Sequence, residues 1–190
     1  MVIARAPRAP EWSGRTVGDL AREAGQEPLD WACDALIRHD GSLDMIHHSM
    51  DEADVRLVMA LPWVCIGSDS RAKAPYGPLS AGRPHPRAYG TFPRVLGRYA
   101  RDAGLFTLGE AVRKMTSLPA ARLGLRDRGT IRAGAPADLV VFDAARVLDE
   151  ATYEDPHRYP TGIAHVLVNG VLALEDGVTT VARAGRFLTP

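Results

Sequence analysis

Apolar residues recur at two different spacings along the chain, and the change between them divides the sequence. From Thr16 to about Gly124, outside two short runs at 42–48 and 62–67, they recur at helical spacing between capping and stop signals, which is typical of helices packed by one face. Beyond that point they come in short runs with Asn169-Gly170 between two of them. Asn-Gly between alternating apolar residues indicates a tight hairpin. The pattern predicts helices first and a small antiparallel β module at the end.

Capping boxes and first-turn prolines predict where the helices begin, and glycine or proline predicts where they end. The predicted helices run from Thr16 to Gly25, from Pro28 toward Gly41, from Ser49 to about Leu61, from about Pro93 to Ala103, from Thr107 through Met115, and as one turn from Pro119 to Gly124. In the fourth helix Leu96, Tyr99 and Ala103 are expected to point inward.

The second predicted helix has the clearest apolar face. Its face is expected to lie in the core and comprises Leu29, Ala32, Cys33, Leu36 and Ile37. The other cysteine is Cys65, and neither has a CxxC partner or a Cys/His cluster of metal-ligand spacing around it. Both are therefore expected to be buried small hydrophobes.

Two strands are expected to flank the third helix. The first is Ser42–His48 and the second is PWVCIG, residues 62–67, whose continuous apolar run suits a parallel strand covered on both faces. A right-handed parallel crossover is the simplest geometry for such a strand, helix, strand unit. The first 15 residues, rich in Pro and Arg, are expected to be a connection. Later strands are expected at residues 129–134, 137–143 and 163–177.

Asp69 follows the second of these predicted strands, after Gly67 and Ser68. Parallel-sheet enzymes keep their catalytic groups at the carboxyl ends of the strands, which makes Asp69 a candidate functional acid. An Asp after a Gly-Ser pair also commonly caps a turn. The residues alone leave both interpretations open.

A long loop rich in proline and glycine follows Asp69, and it carries Arg71, Arg83 and Arg87. Loops at the end of a strand often bind substrate, and a guanidinium can grip a carboxylate through two parallel hydrogen bonds. The alternative is a solvated surface loop whose arginines only aid solubility. His47 and His48 are adjacent, so one would point to each face of a strand. We expect that neither is a metal ligand, because a pair on one face needs a spacing of two.

Composition excludes several classes of protein. The 190 residues include 23 basic and 23 acidic side chains, which gives no electrostatic argument for nucleic acid or an anionic membrane. We expect neither partner, and we expect a cytoplasmic location because no apolar stretch reaches the ~18 residues of a membrane span. A serine hydrolase built on Ser68 or Ser70 is excluded because the G-x-S-x-G elbow is absent.

Several motifs in order resemble those of one enzyme family. Residues 116–143 are similar to the stretch in which metal-dependent amidohydrolases leave their (β/α)8 barrel and enter a small β-sandwich. Four further segments resemble the N-acyl-D-amino-acid deacylases, or D-aminoacylases: HPRAYGTFPRVLGRYAR at 85–101, RKMTSLPA at 113–120, ATYEDPHRYPTGI at 151–163 and VLVNG at 166–170. The resemblance implies an α/β fold: the C-terminal portion of the barrel in residues 1–118, then a connecting turn and part of the sandwich in 119–190.

The resemblance also implies a reaction, the hydrolysis of the amide of a small-molecule N-acyl-D-amino acid by zinc-activated water. Asp69 matches the family's acid, which takes a proton from the water and returns it to the leaving amine. Arg87, in HPR, matches the residue that binds the substrate's α-carboxylate. Ser70 stands where the family commonly has Gly, so the resemblance does not determine the conformation of the loop after Asp69.

The zinc ligands expected from the family are not found in this sequence. The chain has no H-x-H motif, and Asp69 is the one residue that the resemblance marks as a possible ligand. We therefore expect the chain to act only with the missing N-terminal part of the barrel and to be inactive alone. The alternative is a truncated, non-catalytic remnant of such an enzyme.

Overall fold

A computed structural model describes residues 1–189. The chain forms two compact units. The first comprises residues 1–50, 69–89 and 151–158, and the second comprises residues 51–68, 90–150 and the chain from 159 on. Neither unit is therefore one continuous stretch of the sequence.

The first unit is built on a two-stranded antiparallel sheet and two helices. Its elements are β1 (Val2–Arg5), α1 (Val17–Glu23), α2 (Pro28–Arg38) and β2 (Asp44–Ile46), with short 3₁₀ turns at Pro10–Trp12 and Gly77–Ser80. The cap predicted for α1 is confirmed, since Thr16 Oγ1 accepts a hydrogen bond from the Asp19 N–H at 3.0 Å. The core of this unit consists of Ile3, Ala6, Ala9, Val17, Leu20, Ala21, Trp31 and Ala35.

Several predictions for this unit are wrong. The first 15 residues are not merely a connection, because β1 pairs antiparallel with β2, with Val2 opposite Ile46. The strand predicted over 42–48 is accordingly shorter and antiparallel. Its apolar partner β1 was missed because a strand of four residues beside Pro and Arg gives little periodic signal.

The core face predicted for α2 is also wrong. Trp31 and Ala35 are 3% and 0% exposed, whereas Leu29 and Ile37 are 74% and 75% exposed. The largest side chain decides the face, because Trp31 packs against Trp12 with the ring centroids 5.0 Å apart. The rotation of the helix leaves Cys33 exposed, and Cys65 in the other unit is only half-buried. The expectation of two buried cysteines is therefore corrected.

The second unit contains helices and a four-stranded antiparallel sheet. Its elements are α3 (Glu52–Ala60), the end of α4 (Arg87–Arg94), a π-helix (Val95–Asp102), α5 (Leu108–Met115), α6 (Ser117–Arg122), β3 (Leu139–Phe142), β4 (Ile163–Val168), β5 (Val171–Glu175) and β6 (Val178–Thr179). The sheet follows chain order from β3 to β6. The hairpin predicted at Asn169-Gly170 is confirmed between β4 and β5, and both turn residues have positive φ, 50° and 82°.

Helix boundaries in this unit differ from the predictions in two places. Asp51, not Ser49, caps α3, since its Oδ1 accepts from the Ala53 N–H at 2.7 Å. The helix predicted to open at Pro93 begins at Arg87 instead and contains Pro93. Pro93 has no backbone N–H to donate within the helix, and a π-helix follows it. Ala103, predicted to point inward, is exposed.

The strand predicted at residues 62–67 does not form. Ile66 N–H donates instead to the carbonyl of Lys114 at 3.0 Å. All strand pairs described in residues 1–189 are antiparallel, so the predicted parallel crossover is wrong for this chain. The strand predicted at 129–134 is also absent from the described residues. The cap predicted for α5 is confirmed, since Thr107 Oγ1 accepts from the Glu110 N–H at 3.2 Å.

No helix in the described chain, residues 1–189, combines the length and apolar character needed to cross a membrane.

Candidate active site

The two candidate site residues, Asp69 and Arg87, lie side by side in the first unit. Arg87 Nη2 is 2.8 Å from Asp69 Oδ2, and the side chains are 44% and 86% exposed respectively. Arg87 is the first residue of α4. Asp69 lies three residues after Ile66, whose N–H donates to the carbonyl of Lys114. An ion pair this exposed contributes little to stability. The geometry therefore leaves both groups accessible to a ligand.

Asp69 has a left-handed backbone with φ of 45°. This conformation is uncommon for a residue other than Gly, although Asp tolerates it better than most. Non-glycine residues held in this region cluster at functional sites. The next residue, Ser70, stands where the resemblance leads one to expect Gly. It is not among the described residues that have a positive φ.

His85 fixes the start of the helix that carries Arg87. The Arg87 backbone N–H donates to His85 Nδ1 at 3.0 Å, and His85 Nε2 lies 3.0 Å from the hydroxyl of Tyr153. Because Nδ1 accepts a hydrogen bond, the neutral ring carries its proton on Nε2 and donates it to the Tyr153 oxygen. A chain of two hydrogen bonds thus runs from Tyr153 to the backbone of Arg87.

A second histidine and tyrosine make a parallel arrangement nearby. His157 Nε2 is 2.8 Å from the carbonyl of Gly82, and its Nδ1 is 2.9 Å from the hydroxyl of Tyr89. A carbonyl can only accept, so Nε2 carries the proton and Tyr89 donates to Nδ1. Burial raises the pKa of Tyr89, which keeps its hydroxyl protonated for this role.

The sequence analysis did not single out His85, Tyr89, Tyr153 or His157 as functional residues. His85 and Tyr89 lie in one of the segments that carry the family resemblance, and Tyr153 and His157 lie in another. The presence of His and Tyr in both segments was the available signal. Nothing in helical or strand spacing predicts that these two segments meet.

The other candidates have different surroundings. Arg83 Nη1 is 3.4 Å from the carbonyl of Glu154, and its guanidinium lies over Gly14. Arg71 and His47 are exposed, and the His48 ring lies 4.7 Å from that of Tyr153. A pocket of about 240 Å³ opens beside these groups and is lined by Val2, Gly14, Ile46, His48, Arg83, Tyr153 and Glu154.

The described residues do not by themselves fit a metal centre. Within residues 1–189 no group of three or more His, Cys, Asp or Glu side chains is placed to hold an ion. A catalytic zinc site needs three protein ligands. Asp69, the possible ligand, has its carboxylate paired with a cation, Arg87.

Comparison with curated proteins gives relatives with one kind of activity. The chain is 46% identical to a D-aminoacylase from Alcaligenes xylosoxydans xylosoxydans over 94% of its length. It is 44% identical to an N-acyl-D-glutamate deacylase from the same organism, also over 94%. In each case it corresponds to 34% of the relative. The chain therefore spans about a third of the length of the curated relatives it matches.

Solved structures confirm the similarity of fold. A D-aminoacylase structure, described for its binuclear metal center, superimposes with a TM-score of 0.89 and 43% identity, covering 100% of this chain and 37% of that one. An N-acyl-D-glutamate deacylase from Bordetella bronchiseptica, solved with zinc and a phosphonate inhibitor, superimposes with a TM-score of 0.79 and 39% identity. This match covers 94% of this chain and 36% of that one. The fold class predicted from the sequence, the C-terminal portion of an amidohydrolase, is confirmed.

The family model agrees with these relatives. The model described as Amidohydrolase family matches residues 9–173, which is most of the chain. The match includes Asp69, Arg87 and the four His and Tyr residues around them. By sequence and by structure, this chain belongs to the amidohydrolase family, and it is similar there to D-aminoacylases and N-acyl-D-glutamate deacylases.

Proposed function

We propose that this chain supplies the proton-transferring acid and the carboxylate-binding arginine for hydrolysis of N-acyl-D-amino acids. The observation that carries the proposal is the placement of Asp69 beside Arg87, 2.8 Å apart and open to solvent, in a chain of the amidohydrolase family. Amide hydrolysis of such a substrate needs both a proton carrier and a group that recognises the carboxylate.

Asp69 is proposed to move one proton through the reaction. Its carboxylate takes a proton from the attacking water as the oxygen adds to the acyl carbon. The carboxyl group then gives that proton to the amide nitrogen as the C–N bond breaks, which releases a carboxylate and a free D-amino acid. A metal ion would make the attacking water more acidic. We propose that zinc has this role, with ligands from outside residues 1–189.

Arg87 is proposed to bind the substrate's α-carboxylate. Its guanidinium already holds a carboxylate, that of Asp69, at 2.8 Å. A substrate carboxylate offers the same planar partner to the guanidinium fork. Because the Asp69–Arg87 pair is exposed, exchanging one carboxylate for another has a small energetic cost. Substrate binding would also release Asp69 for proton transfer.

The exposed apolar side chains of the second unit support a protein partner. Leu57, Val58 and Trp63 are 67%, 51% and 60% exposed in and after α3. We propose that residues 1–118 complete an amidohydrolase barrel with further barrel strands and that residues 119–190 form part of the sandwich. The cytoplasmic location and the absence of nucleic-acid and membrane partners stay predictions.

The alternative is a truncated, non-catalytic remnant of a deacylase. The lack of a metal-fitting group of side chains within residues 1–189 favours this alternative. It predicts that the chain gains no activity when combined with a protein that supplies the barrel strands and metal ligands.

Substitution of Arg87 tests the proposed function in the assembled enzyme. Arg87→Ala should raise the activation free energy that kcat/KM reports for an N-acyl-D-amino acid by about 2–5 kcal/mol, the range for truncating one partner of a charge pair that the assembled enzyme and its substrate bury. The loss should be much smaller for the corresponding amide, because it has no charge for the arginine to hold. Arg71→Ala, in the same loop, is the matched control and should change neither value. Equal losses for acid and amide would show that Arg87 acts on loop structure.

A further inference from the structure

Two His–Tyr hydrogen bonds join the same two segments of the first unit in reciprocal order. His85 bonds Tyr153, and Tyr89 bonds His157, and each pair is separated by 68 residues. The histidine belongs to the earlier segment in one pair and to the later segment in the other. The segment Ala151–Arg158 is thereby fastened to the loop and helix start at two points four residues apart.

Arg87 lies midway between the two fastened positions, 85 and 89. One of the bonds reaches it directly, since His85 Nδ1 accepts from the Arg87 backbone N–H at 3.0 Å. The N–H groups at a helix start have no partner within the helix, so such a cap determines how the first residue is oriented. His85 keeps Nδ1 available as an acceptor only while its proton stays on Nε2, and the Tyr153 oxygen is where that proton is donated.

Burial alone does not explain the place of Tyr153. The residue is 43% exposed, so it contributes little to the core of its unit. Its ring instead contacts two histidines, with centroid separations of 4.7 Å to His48 and 5.1 Å to His85. The hydroxyl is directed at His85, the imidazole that accepts a hydrogen bond from the backbone N–H of Arg87.

We propose that Tyr153 is a positioning residue that acts through His85 to orient Arg87 for carboxylate binding. The segment Ala151–Arg158 is then a specificity element of the site rather than a surface connection. This inference deepens the proposed function and rests on the role assigned there to Arg87. Tyr153 itself touches no reacting atom in this account.

The substitution Tyr153→Phe tests the inference on the 190-residue chain by NMR. In the unsubstituted chain, long-range ¹H–¹⁵N spectra should show His85 with its proton on Nε2, and the Arg87 amide should exchange slowly with solvent. Tyr153→Phe should speed exchange of that amide by about tenfold, the effect of weakening one hydrogen bond by ~1.4 kcal/mol. Tyr76→Phe is the matched control, because Tyr76 lies in the loop that leads to His85 and is 61% exposed. It should leave the Arg87 signals unchanged.

Ligand titration connects this effect to recognition. N-acetyl-D-leucine and its carboxamide are added to each variant while the Arg87 Nε–H signal is followed. Tyr153→Phe should reduce the ratio of affinities for the acid and the carboxamide by about tenfold. A general loss of structure would instead weaken the binding of both ligands by the same factor. If the unsubstituted chain shows no preference for the acid, the proposed role of Arg87 fails. A faster Arg87 amide in Tyr153→Phe would in that case still show that Tyr153 positions this residue.

A double substitution tests whether Tyr153 acts through His85. Asn at position 85 offers an acceptor where Nδ1 stands but has no group that reaches Tyr153. His85→Asn should therefore reproduce the effect of Tyr153→Phe, and adding Tyr153→Phe to it should change the Arg87 exchange rate no further. Additive effects of the two substitutions, or an Arg87 amide unaffected by Tyr153→Phe, would overturn the inference.

Discussion

Asn169 and Asp69 share an uncommon backbone conformation, with φ of 50° and 45°, but only Asn169 is held in it by its surroundings. The Asn169 N–H donates to Asp138 Oδ1 at 2.7 Å, and its side-chain oxygen accepts from Arg128 Nη2 at 2.7 Å. Its amide NH₂ donates to the carbonyl of Ala184 at 2.6 Å. A hairpin turn and three hydrogen bonds explain this conformation completely.

The ionisation of Asp138 contributes to that network. Although burial works to raise the pKa of Asp138, the Asn169 N–H and the Arg128 guanidinium together hold it below its usual value. The carboxylate therefore stays charged and keeps accepting both hydrogen bonds at neutral pH. The left-handed turn residue therefore donates its backbone N–H to a carboxylate that is ionised at neutral pH.

Asp69 has no comparable support. Its side chain is 86% exposed and its recorded partner is the exposed guanidinium of Arg87. No turn between paired strands requires its conformation, because residues 62–70 contain no strand. A left-handed residue that its own structure does not explain is more informative about function than one that a hairpin requires. The contrast separates a structural turn from a candidate catalytic position.

The largest expected effect concerns the chemistry of Asp69. In the assembled enzyme, Asp69→Asn should lower kcat by about 10²- to 10⁴-fold, because an amide cannot accept the proton. Substrate binding should remain, since the shape is kept. Asp40→Asn is the matched control, because Asp40 also has a left-handed backbone, with φ of 50°, and an exposed ion pair with an arginine, Arg8. Near-normal kcat in Asp69→Asn would remove Asp69 from the mechanism.

A stability measurement addresses what holds the stretch before Asp69. Lys114 is 0% exposed, and its ammonium donates to the carbonyls of Leu61 and of Val64, the latter at 3.2 Å. Lys114→Met should lower the free energy of unfolding by about 3 kcal/mol, because two partly buried carbonyls lose a charged donor. Denaturant titration measures the loss. Lys73→Met, which removes one hydrogen bond to the carbonyl of Ala81, should cost less than about 1 kcal/mol. Similar losses for both would show that the buried ammonium does not hold this stretch.

A smaller loss is expected at the hairpin. Asn169→Ala should lower the free energy of unfolding by about 2 kcal/mol, since Ala adopts positive φ poorly and makes neither side-chain hydrogen bond. Asn169→Gly keeps the conformation and loses only the bonds, so it should cost about 1 kcal/mol less. If thermal unfolding shows the same loss of stability for the Ala and Gly variants, the left-handed backbone at position 169 carries no strain.

Sequence alone predicted the elements whose signals are local. The Thr16 and Thr107 caps join residues three apart, and the Asn169-Gly170 hairpin places its two strands beside each other through two residues. The stretch 62–67 failed as a strand because a parallel strand needs partners distant in sequence, and none pairs with it within residues 1–189. The face of α2 failed for a similar reason, since the contact between Trp31 and Trp12 set it.

In the candidate site, too, the contacts between residues distant in sequence were the part that the sequence did not predict. The sequence pattern places Asp69 at the end of a strand that does not form here and makes Arg87 one of three candidate arginines. The family resemblance is what distinguishes these two residues from the others. That they lie 2.8 Å apart could not be read from the sequence. His85 and Tyr153 meet across 68 residues, and neither residue type at that separation gives a periodic signal.

The smallest expected effect tests the backbone of Asp69 apart from its carboxylate. Asp69→Gly and Asp69→Ala both remove the ion pair with Arg87, so a difference in their stabilities reports on the backbone alone. With φ at 45°, the Gly variant should be more stable than the Ala variant by about 1 kcal/mol. At Asp19, inside α1, the same two substitutions should give the opposite order by about 0.5–1 kcal/mol, because Ala is the better helix former. If Ala is as stable as Gly at position 69, its backbone is not strained, and Asp69 no longer differs from an ordinary loop residue in this respect.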